Sequence, residues 1–172
     1  MLTLWSTHLT GIFLENARIA DANDFKYLEQ LGLAAEAELI QKRGGLTLSK
    51  ENPNYGDPES YFQSAFSDSS IEVFVGTIDD VIVGFGIIKL GSLEDGTAHA
   101  SIKALYVEEP ARSVGVGEAI MEEMLICATS HKAEAVDAVA LPGDRATKNF
   151  FETHGLVARA IIVQKALTEQ DT

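Results

Sequence analysis

The chain has 172 residues, of which 46% are hydrophobic and 23% charged, a composition typical of a single globular domain with its own core. Its net charge of −13 argues against nucleic-acid binding, which requires a clustered basic surface. No segment has the ~18 consecutive apolar residues of a membrane span, and the N-terminus lacks the basic flank of a signal peptide. The single cysteine, Cys127, suits a reducing compartment, so we expect a cytoplasmic protein that does not bind membranes.

The N-terminal part of the chain divides into two stretches. Residues 1–14 are largely apolar and carry no Asp, Glu, Lys or Arg, and they form either an extra strand, a dimer contact or a segment upstream of a domain at residues 15–172. Residues 17–20 then predict a short strand, and Asp21 or Asn23 can cap a following helix. Apolar residues at helical spacing continue to Ile40, so we expect this helix to end near residues 44–45.

Residues 46–92 contain, in order, a predicted loop, a short helix and a pair of strands. Residues 46–58 are rich in Gly, Asn, Pro, Ser and Asp, which indicates a loop, and residues 59–66 predict a short amphipathic helix. Two β-branched runs follow at residues 71–78 and 81–88, joined through Asp79 and Asp80. This pattern predicts a β-hairpin.

The centre of the chain is a strand at residues 98–107, a loop with two spaced glycines, and a helix from residue 118. Gly115 and Gly117 allow the backbone to turn sharply and to approach a ligand closely, with its N–H groups converging. The start of the helix adds unsatisfied N–H groups and the positive end of its dipole. Together these features predict an anion site, most simply for a phosphate or pyrophosphate.

Two familiar phosphate loops do not fit this stretch. A Walker loop requires lysine directly after its last glycine, but Glu118 follows Gly117. A dinucleotide-binding turn requires a third glycine or alanine, and Ile120 stands at that position. We therefore exclude a nucleotide-binding regulator of either type.

The C-terminal part of the chain predicts a strand, a helix and a second strand. Residues 135–141 predict a strand, a helix follows with Asp144 as its N-cap and Gly155 as its closing residue, and residues 157–163 predict a last strand.

The loop Arg112-x-x-Gly115-x-Gly117 resembles the R/Q-x-x-G-x-G/A pyrophosphate loop of the GCN5-related N-acetyltransferase (GNAT) superfamily. The similarity extends over residues 17–167, because residues 98–107, 135–141 and 144–156 resemble the fourth strand, the fifth strand and the closing helix of that superfamily. The resemblance implies an α/β fold with a mixed, mostly antiparallel central sheet and helices on both faces.

It also implies an acetyl-CoA-dependent N-acetyltransferase that moves an acetyl group directly to a primary amine on a small molecule or peptide. Acetyl-CoA would be a co-substrate, with no metal. The Leu105 N–H would polarise the thioester carbonyl, and Val107 would bond the pantetheine. The residues that the resemblance places against the coenzyme are Leu105, Tyr106, Val107, Arg112, Ser113, Val114, Gly115, Val116, Gly117, Asp144, Lys148 and Phe151. A basic cluster of Arg112, Arg145 and Lys148 would offset the acidic surface.

The sequence departs from the superfamily pattern at the proton-transfer positions. Phe151 stands where a tyrosine usually protonates the leaving thiolate, and Asp144 replaces an asparagine. Strand alternation from Leu105 selects Lys103, Ser101 and His99 on one face. Of these, Ser101 occupies the position of a glutamate base, and His99 has a suitable ordinary pKa.

Several readings stay open. A water chain to Glu72 or Tyr106 is an alternative route for the proton. Residues 46–66 would form the acceptor wall, although Tyr55, Tyr61 and Phe62 equally well predict packing. The chain is alternatively a weak or inactive acyl-CoA-binding sensor, and a homodimer is one expected assembly.

Overall fold

The computed structural model describes residues 14–51 and 57–167. Residues 1–13, with most of the apolar N-terminal extension, lie outside the described residues, as do residues 52–56 with Tyr55. The hypotheses about those two stretches therefore stay predictions.

The described chain contains five strands and five α-helices. They are β1 (Glu15–Ile19), α1 (Phe25–Leu39), α2 (Gly45–Glu51), α3 (Pro58–Ser67), β2 (Ile71–Ile78), β3 (Val81–Ser92), β4 (Ala98–Val107), α4 (Val116–Ser130), β5 (Ala135–Asp137) and α5 (Arg145–Thr153). Short 3₁₀ turns at Ala22–Asp24 and Glu109–Ala111 precede α1 and α4.

The strands form one sheet in the order β1-β2-β3-β4-β5. The first four are antiparallel to their neighbours, and β5 runs parallel to β4, as a helical crossover between two strands requires. This mixed, mostly antiparallel sheet confirms the fold class predicted from the sequence.

Each face of the sheet carries its own core. On one face, Leu28 and Leu31 of α1 and Phe62 of α3 pack on Val75 and Phe85 of the sheet. The opposite face is covered by α4, whose buried side chains lie against the other side of β2, β3 and β4. Those side chains are Val116, Ile120, Met121, Met124 and Ala128.

Three glycines in β2 and β3 let α4 pack directly on the sheet backbone. A Cβ at Gly86 would lie 2.4 Å from Ile120 Cγ2, and a Cβ at Gly76 would lie 2.6 Å from both Ile120 Cδ1 and Val116 Cγ1. At Gly84 a Cβ would lie 2.7 Å from the Tyr106 carbonyl oxygen. Separations this short exclude any side chain, so these glycines set how closely the N-terminal half of α4 approaches the sheet.

The predicted hairpin is confirmed, with β2 and β3 paired antiparallel. Its turn residues Asp79 and Asp80 have φ of 48° and 67°, which is the left-handed geometry of a type I′ turn. Asp79 also accepts a hydrogen bond from the Leu14 N–H and donates its own N–H to the Leu14 carbonyl, which joins the turn to the start of β1.

Two predictions between β1 and β2 are wrong. The helix expected to run to residues 44–45 ends at Leu39, and the expected loop contains α2 at Gly45–Glu51. Tertiary contact accounts for the second error, because Ser49 is buried and donates its hydroxyl proton to the Glu36 carboxylate on α1. The local composition, rich in loop-forming residues, is overridden by that packing.

The predicted last strand at residues 157–163 is also wrong. These residues have no regular secondary structure, and the fifth strand is shorter than predicted, ending at Asp137. Val157, Ile161 and Val163 are 81–89% exposed. Strand propensity depends on a partner that covers the side chains, and within the described chain no strand pairs with this segment.

Candidate functional site

A β-bulge divides β4 into two halves. Ile88 pairs with Ile102 and Ile87 pairs with Ala104, so Lys103 is the extra residue. Side chains alternate between faces except where a bulge adds a residue. The bulge therefore reverses the alternation along the strand.

The two cores show the effect of this reversal. Ala100 and Ile102 pack in the core beneath α4, whereas Ala104 packs in the opposite core. Leu105 then returns to the α4 side, so it does not share a face with His99 and Ser101. The prediction from simple alternation is wrong, because nothing in the sequence marked the bulge.

The C-terminal half of β4 has an open edge within the described chain. The parallel pairing with β5 covers only His99, Ala100 and Ser101 of β4. Beyond Asp137 the chain leaves the sheet, and the two strands part. We refer to this unpaired edge of β4, from residue 102 to residue 107, as the cleft.

The backbone of Leu105 and Val107 is turned toward this cleft. The Glu108 N–H donates to the Val83 carbonyl at 2.9 Å, which makes Glu108 and Val83 a hydrogen-bonded pair. Such pairs alternate with non-bonded ones along an antiparallel ladder, so the N–H and C=O groups of Leu105 and Val107 point away from β3. At the two positions that the family resemblance selected, the edge presents the N–H and C=O groups of Leu105 and the N–H of Val107, whereas the Val107 carbonyl accepts a hydrogen bond from Arg112 Nε at 2.8 Å.

The predicted anion loop follows directly. Ser113 and Gly115 have φ of 66° and 99°, and Gly115 is the N-cap of α4. At the start of the helix the Ala119 N–H donates to the Gly115 carbonyl, whereas the N–H groups of the first turn have no partner within the helix. The Arg112 N–H donates to the Glu109 carbonyl at 3.2 Å, so the amides left for an anion begin at Ser113.

Gly117 lies in the first turn of α4 with space around it. A Cβ at this position would lie 3.5 Å from the Phe150 ring and 3.8 Å from Val107, both ordinary contacts. The absence of a side chain leaves the helix N-terminus accessible beside the end of β4. The loop of residues 113–117 thus lies between the end of β4 and the first turn of α4, and its binding of an anion stays a prediction.

The predicted basic cluster is largely engaged in ion pairs. Arg112 binds Glu38 at 2.8 Å, and Lys148 binds Glu152 at 2.5 Å. Arg145 is exposed at the start of α5. Neutralised in this way, the cluster contributes less free positive charge than expected, and the loop amides together with the α4 dipole are the main attraction for an anion.

Asp144 lies on the far side of the cleft, at the N-cap of α5. It accepts hydrogen bonds from the Thr147 N–H at 3.1 Å and from Lys42 Nζ at 2.7 Å. Partial burial disfavours its carboxylate, but the Lys42 and Thr147 bonds outweigh that effect and hold the pKa of Asp144 below its usual range. Its carboxylate oxygens are thus already occupied.

Phe151 is 8% exposed and packs in the core beneath α4. Its ring has no proton to give, and the neighbouring polar groups do not replace a tyrosine. Asn149 is exposed, and His154 places Nδ1 2.8 Å from the Phe150 carbonyl while its ring lies 4.5 Å from that of Phe150.

His99 lies where β4 and β5 pair. Its Nε2 is 3.2 Å from Asp137, which Arg159 also binds. The Arg159 guanidinium is the main cause of a lowered pKa for Asp137. At about 3.3 Å per residue, His99 lies about 20 Å and Ser101 about 13 Å along the strand from Leu105. Either residue would reach a thioester at Leu105 only through intervening groups.

Tyr106 and Glu72, the two alternative groups for the proton route, lie in different parts of the sheet. The Tyr106 hydroxyl donates to Glu38 at 2.9 Å, and burial, reinforced by this carboxylate, raises the pKa of Tyr106 to about 12. Glu72 lies on β2, close enough to Cys127 of α4 to contribute to the raised pKa of that thiol, which is caused mainly by burial. Since β3 separates β2 from β4, Glu72 is remote from the cleft.

The predicted acceptor wall is partly core. Phe62 is 1% exposed and meets Phe85 edge to face at 5.6 Å, as the packing alternative requires. The Tyr61 ring meets Phe62 edge to face at 5.5 Å, and burial raises the pKa of Tyr61 to about 12. Glu38 and Lys42, which contact both sides of the cleft, were missed by sequence reasoning. Their spacing of four residues was the available signal.

The described residues contain neither a metal-binding cluster nor a membrane-spanning helix. Over residues 14–51 and 57–167, no group of three or more His, Cys, Asp or Glu side chains is placed to hold a metal ion. None of the helices in that part of the chain is long and apolar enough to cross a membrane.

Comparisons with known proteins agree with this fold. No curated protein sequence matches the chain significantly. Solved structures that share the fold include a tetramutant of the BH1408 protein from Bacillus halodurans (22% identity, 88% of this chain, 99% of that one, TM-score 0.73). Two others are a ribosomal-protein-alanine N-acetyltransferase from Brucella melitensis (18%, 90% and 99%, TM-score 0.64) and an aminoglycoside acetyltransferase from an uncultured soil metagenomic sample (14%, 90% and 99%, TM-score 0.68). The acetyltransferase (GNAT) family matches residues 42–156, more than half of the sequence, and the chain therefore belongs to that family.

Proposed function

We propose that this protein is an acetyl-CoA-dependent N-acetyltransferase that moves an acetyl group directly to a primary amine in a ternary complex. The observation that carries the proposal is the open edge of β4 after Ser101, which ends at a loop whose amides begin a helix. A narrow polar edge leading to an anion site suits a long ligand with a thioester at one end and a pyrophosphate at the other.

In this proposal the pantetheine arm lies along the edge in place of the missing strand partner. The Val107 backbone bonds the arm, and the Leu105 N–H donates to the thioester carbonyl. Amides of residues 113–117 hold the pyrophosphate, assisted by the positive end of the α4 dipole. A preorganised backbone donor of this kind contributes roughly 3 kcal/mol to stabilising an oxyanion.

The reaction forms one bond and breaks another. The amine nitrogen attacks the acetyl carbonyl carbon, the C–S bond breaks, and the amine loses a proton while the thiolate gains one. Since Phe151 has no proton to donate, the thiolate leaves unassisted or takes its proton from water, which a thiol pKa near ~8.5 permits. Neither Ser101 nor His99 lies beside Leu105, so we propose that the amine proton passes first to water and not directly to either side chain.

An amine acceptor is supported by charge and by analogy. The net charge of −13 attracts cationic amines, and two structures of the same fold are named for acetylation of a protein alanine and of aminoglycosides. Both acceptor classes present an amino group. The acceptor of this chain is therefore a small amine or a peptide amino group.

One observation favours a second function. The buried Phe151 removes the usual general acid, so the protein is alternatively an acyl-CoA-binding sensor with weak or no turnover. Loss of one acid lowers a rate by about 10²–10⁴-fold and leaves the contribution of positioning intact, so the enzyme stays ahead of this alternative.

Calorimetric titration with acetyl-CoA, desulfo-CoA and ADP, followed by thiol release on a panel of amines and N-terminal peptides, tests the proposal. We expect tight binding of acetyl-CoA and thiol release on at least one amine. Binding with no release on any member of the panel would favour the sensor. An absence of coenzyme binding would overturn both functions.

A further inference from the structure

The end of α1 is tied to the start of the anion loop. Both carboxylate oxygens of Glu38 lie 2.8 Å from Arg112 Nη2. One of these oxygens also accepts the Tyr106 hydroxyl at 2.9 Å. Glu38 therefore binds one residue on each side of the turn that links β4 to the loop.

The Arg112 side chain is committed to this arrangement. Its Nε donates to the Val107 carbonyl at 2.8 Å, and its guanidinium lies 5.5 Å from the centre of the Tyr106 ring, within cation–π range. Its contacts with Glu38, the Val107 carbonyl and the Tyr106 ring hold the Arg112 side chain at the residue just before the free loop amides. The side chain thus organises the loop and does not reach into it.

A second contact extends the same end of α1 to the other side of the cleft. Lys42, four residues after Glu38, binds Asp144 at the N-cap of α5. Glu38 therefore ties α1 to the segment after β4, and Lys42 ties the same end to the segment after β5. The end of α1 and the residues just after it are thus tied to the segments that follow both strands.

We propose that Glu38 is a positioning residue for coenzyme binding: through Arg112 it holds the loop at residues 113–117 in the conformation that receives a pyrophosphate. This inference rests on the proposed function. It concerns how the loop is kept in place and assigns Glu38 no contact with the coenzyme.

Electrostatics alone predicts the opposite behaviour, which makes the proposal testable. Glu38 is an anion near a site for a polyanion, and it neutralises the Arg112 cation. If charge decided affinity, removing the carboxylate would free Arg112 and tighten binding. If positioning decides it, removing the carboxylate loosens the loop and weakens binding, because a flexible site must be ordered when the ligand binds.

The test compares Glu38→Gln with Glu29→Gln by calorimetric titration with coenzyme A and with ADP. Both changes remove one negative charge from α1, and the ion pairs of the described residues include none for Glu29. We expect coenzyme affinity to fall about tenfold in Glu38→Gln and to stay at the wild-type value in Glu29→Gln. Unchanged or tighter binding by Glu38→Gln would overturn the proposal.

A second variant separates positioning from direct phosphate binding by the side chain. Arg112→Lys keeps the positive charge but cannot hold the carboxylate and the Val107 carbonyl together. We expect it to weaken binding as much as Glu38→Gln, and the double variant to be no weaker than either single one. Near-normal affinity of Arg112→Lys would contradict the inference.

A ligand-free measurement reports on the contact itself. The Glu38 carboxylate adds to the burial that raises the pKa of Tyr106 to about 12. Ultraviolet titration of the phenols, with Tyr106→Phe identifying the signal, should show a lower Tyr106 pKa in Glu38→Gln and an unchanged one in Glu29→Gln. If the wild type binds no coenzyme, the proposed function and this inference both fail. If the wild type binds coenzyme and the variants bind it with the same affinity, only this inference fails.

Discussion

Ser101 and Leu105 are four residues apart on β4, yet they face opposite sides of the sheet because the bulge at Lys103 lies between them. The bulge coincides with the point where β5 leaves β4. Past this point the strand combines an unpaired edge with a reversed side-chain order. The proposed reaction centre therefore lies on backbone that the sheet does not use.

Gly117 tests the anion loop. A glutamate at this position would place a carboxylate at the N-terminus of α4, where we propose the pyrophosphate binds. We expect Gly117→Glu to abolish detectable acetyl-CoA binding by calorimetry while far-ultraviolet circular dichroism and the unfolding midpoint stay close to wild type.

Gly117→Ala is the matched control for that change. Its Cβ would meet only ordinary contacts, at 3.5 Å from Phe150, so the fold and a substantial part of the affinity should survive. Wild-type coenzyme affinity in Gly117→Glu would remove the loop from the proposed site.

Gly86 tests how α4 is positioned over the sheet. A Cβ here would lie 2.4 Å from Ile120 Cγ2 and 3.0 Å from Met124 Sδ, so Gly86→Ala must push the helix away or strain its side chains. Overpacking of this kind costs about 1–3 kcal/mol, measurable by urea denaturation. Gly91→Ala on the same strand has open space around its Cβ and should change the unfolding free energy much less. Equal values for the two variants would contradict this account of the packing.

The order of the helices and central strands could be read from the sequence because their signals are local. β4 has the predicted bounds of residues 98–107, and Asp144 and Gly155 cap α5 as expected, with φ of 83° at Gly155. Capping and strand patterns involve residues close together in the chain, so a single sequence carries them.

The features that the sequence did not predict depend on contacts between residues that are far apart in the chain. The bulge at Lys103 is defined by pairing with β3, and α2 is held by the contact between Ser49 and Glu36. The ion pair of Glu38 and Arg112 joins residues 74 positions apart. Chain order gives no signal for such contacts, so the family motif located the loop but not the groups that hold it.

Asp24 tests the link between pH and stability at the start of α1. It is 4% exposed and binds Arg18 through both oxygens. The Arg18 hydrogen bonds are the main reason that the pKa of Asp24 lies below its ordinary value of 3.8. A group with a lowered folded-state pKa stabilises the protein above its unfolded pKa and loses that contribution as the pH falls through the folded value.

We therefore expect Asp24→Asn to destabilise the protein by about 1–3 kcal/mol at pH 7, with the difference from wild type shrinking below pH ~4. Urea denaturation of both proteins at several pH values measures this. A difference that is constant with pH would show that the ion pair is not the cause. Glu94→Gln, at an exposed position that takes part in none of the ion pairs of the described residues, is a control for the charge alone.

His99 tests the route of the amine proton. The strand places it about 20 Å from Leu105, beside Asp137 and with 18% of its side chain exposed. A direct general base contributes about 10²–10⁴-fold to the rate. If His99 had this role, His99→Gln would lower the rate by that factor and would remove the acidic limb of the pH–rate profile. We expect instead a small loss of rate with the acidic limb retained, measured by thiol release on an amine that the wild type acetylates.

Ser101→Ala, measured in parallel, distinguishes the two candidate residues. A large loss confined to His99→Gln would require the acceptor to bind where β4 and β5 pair, far from Leu105, and the thioester would then have to be placed there as well.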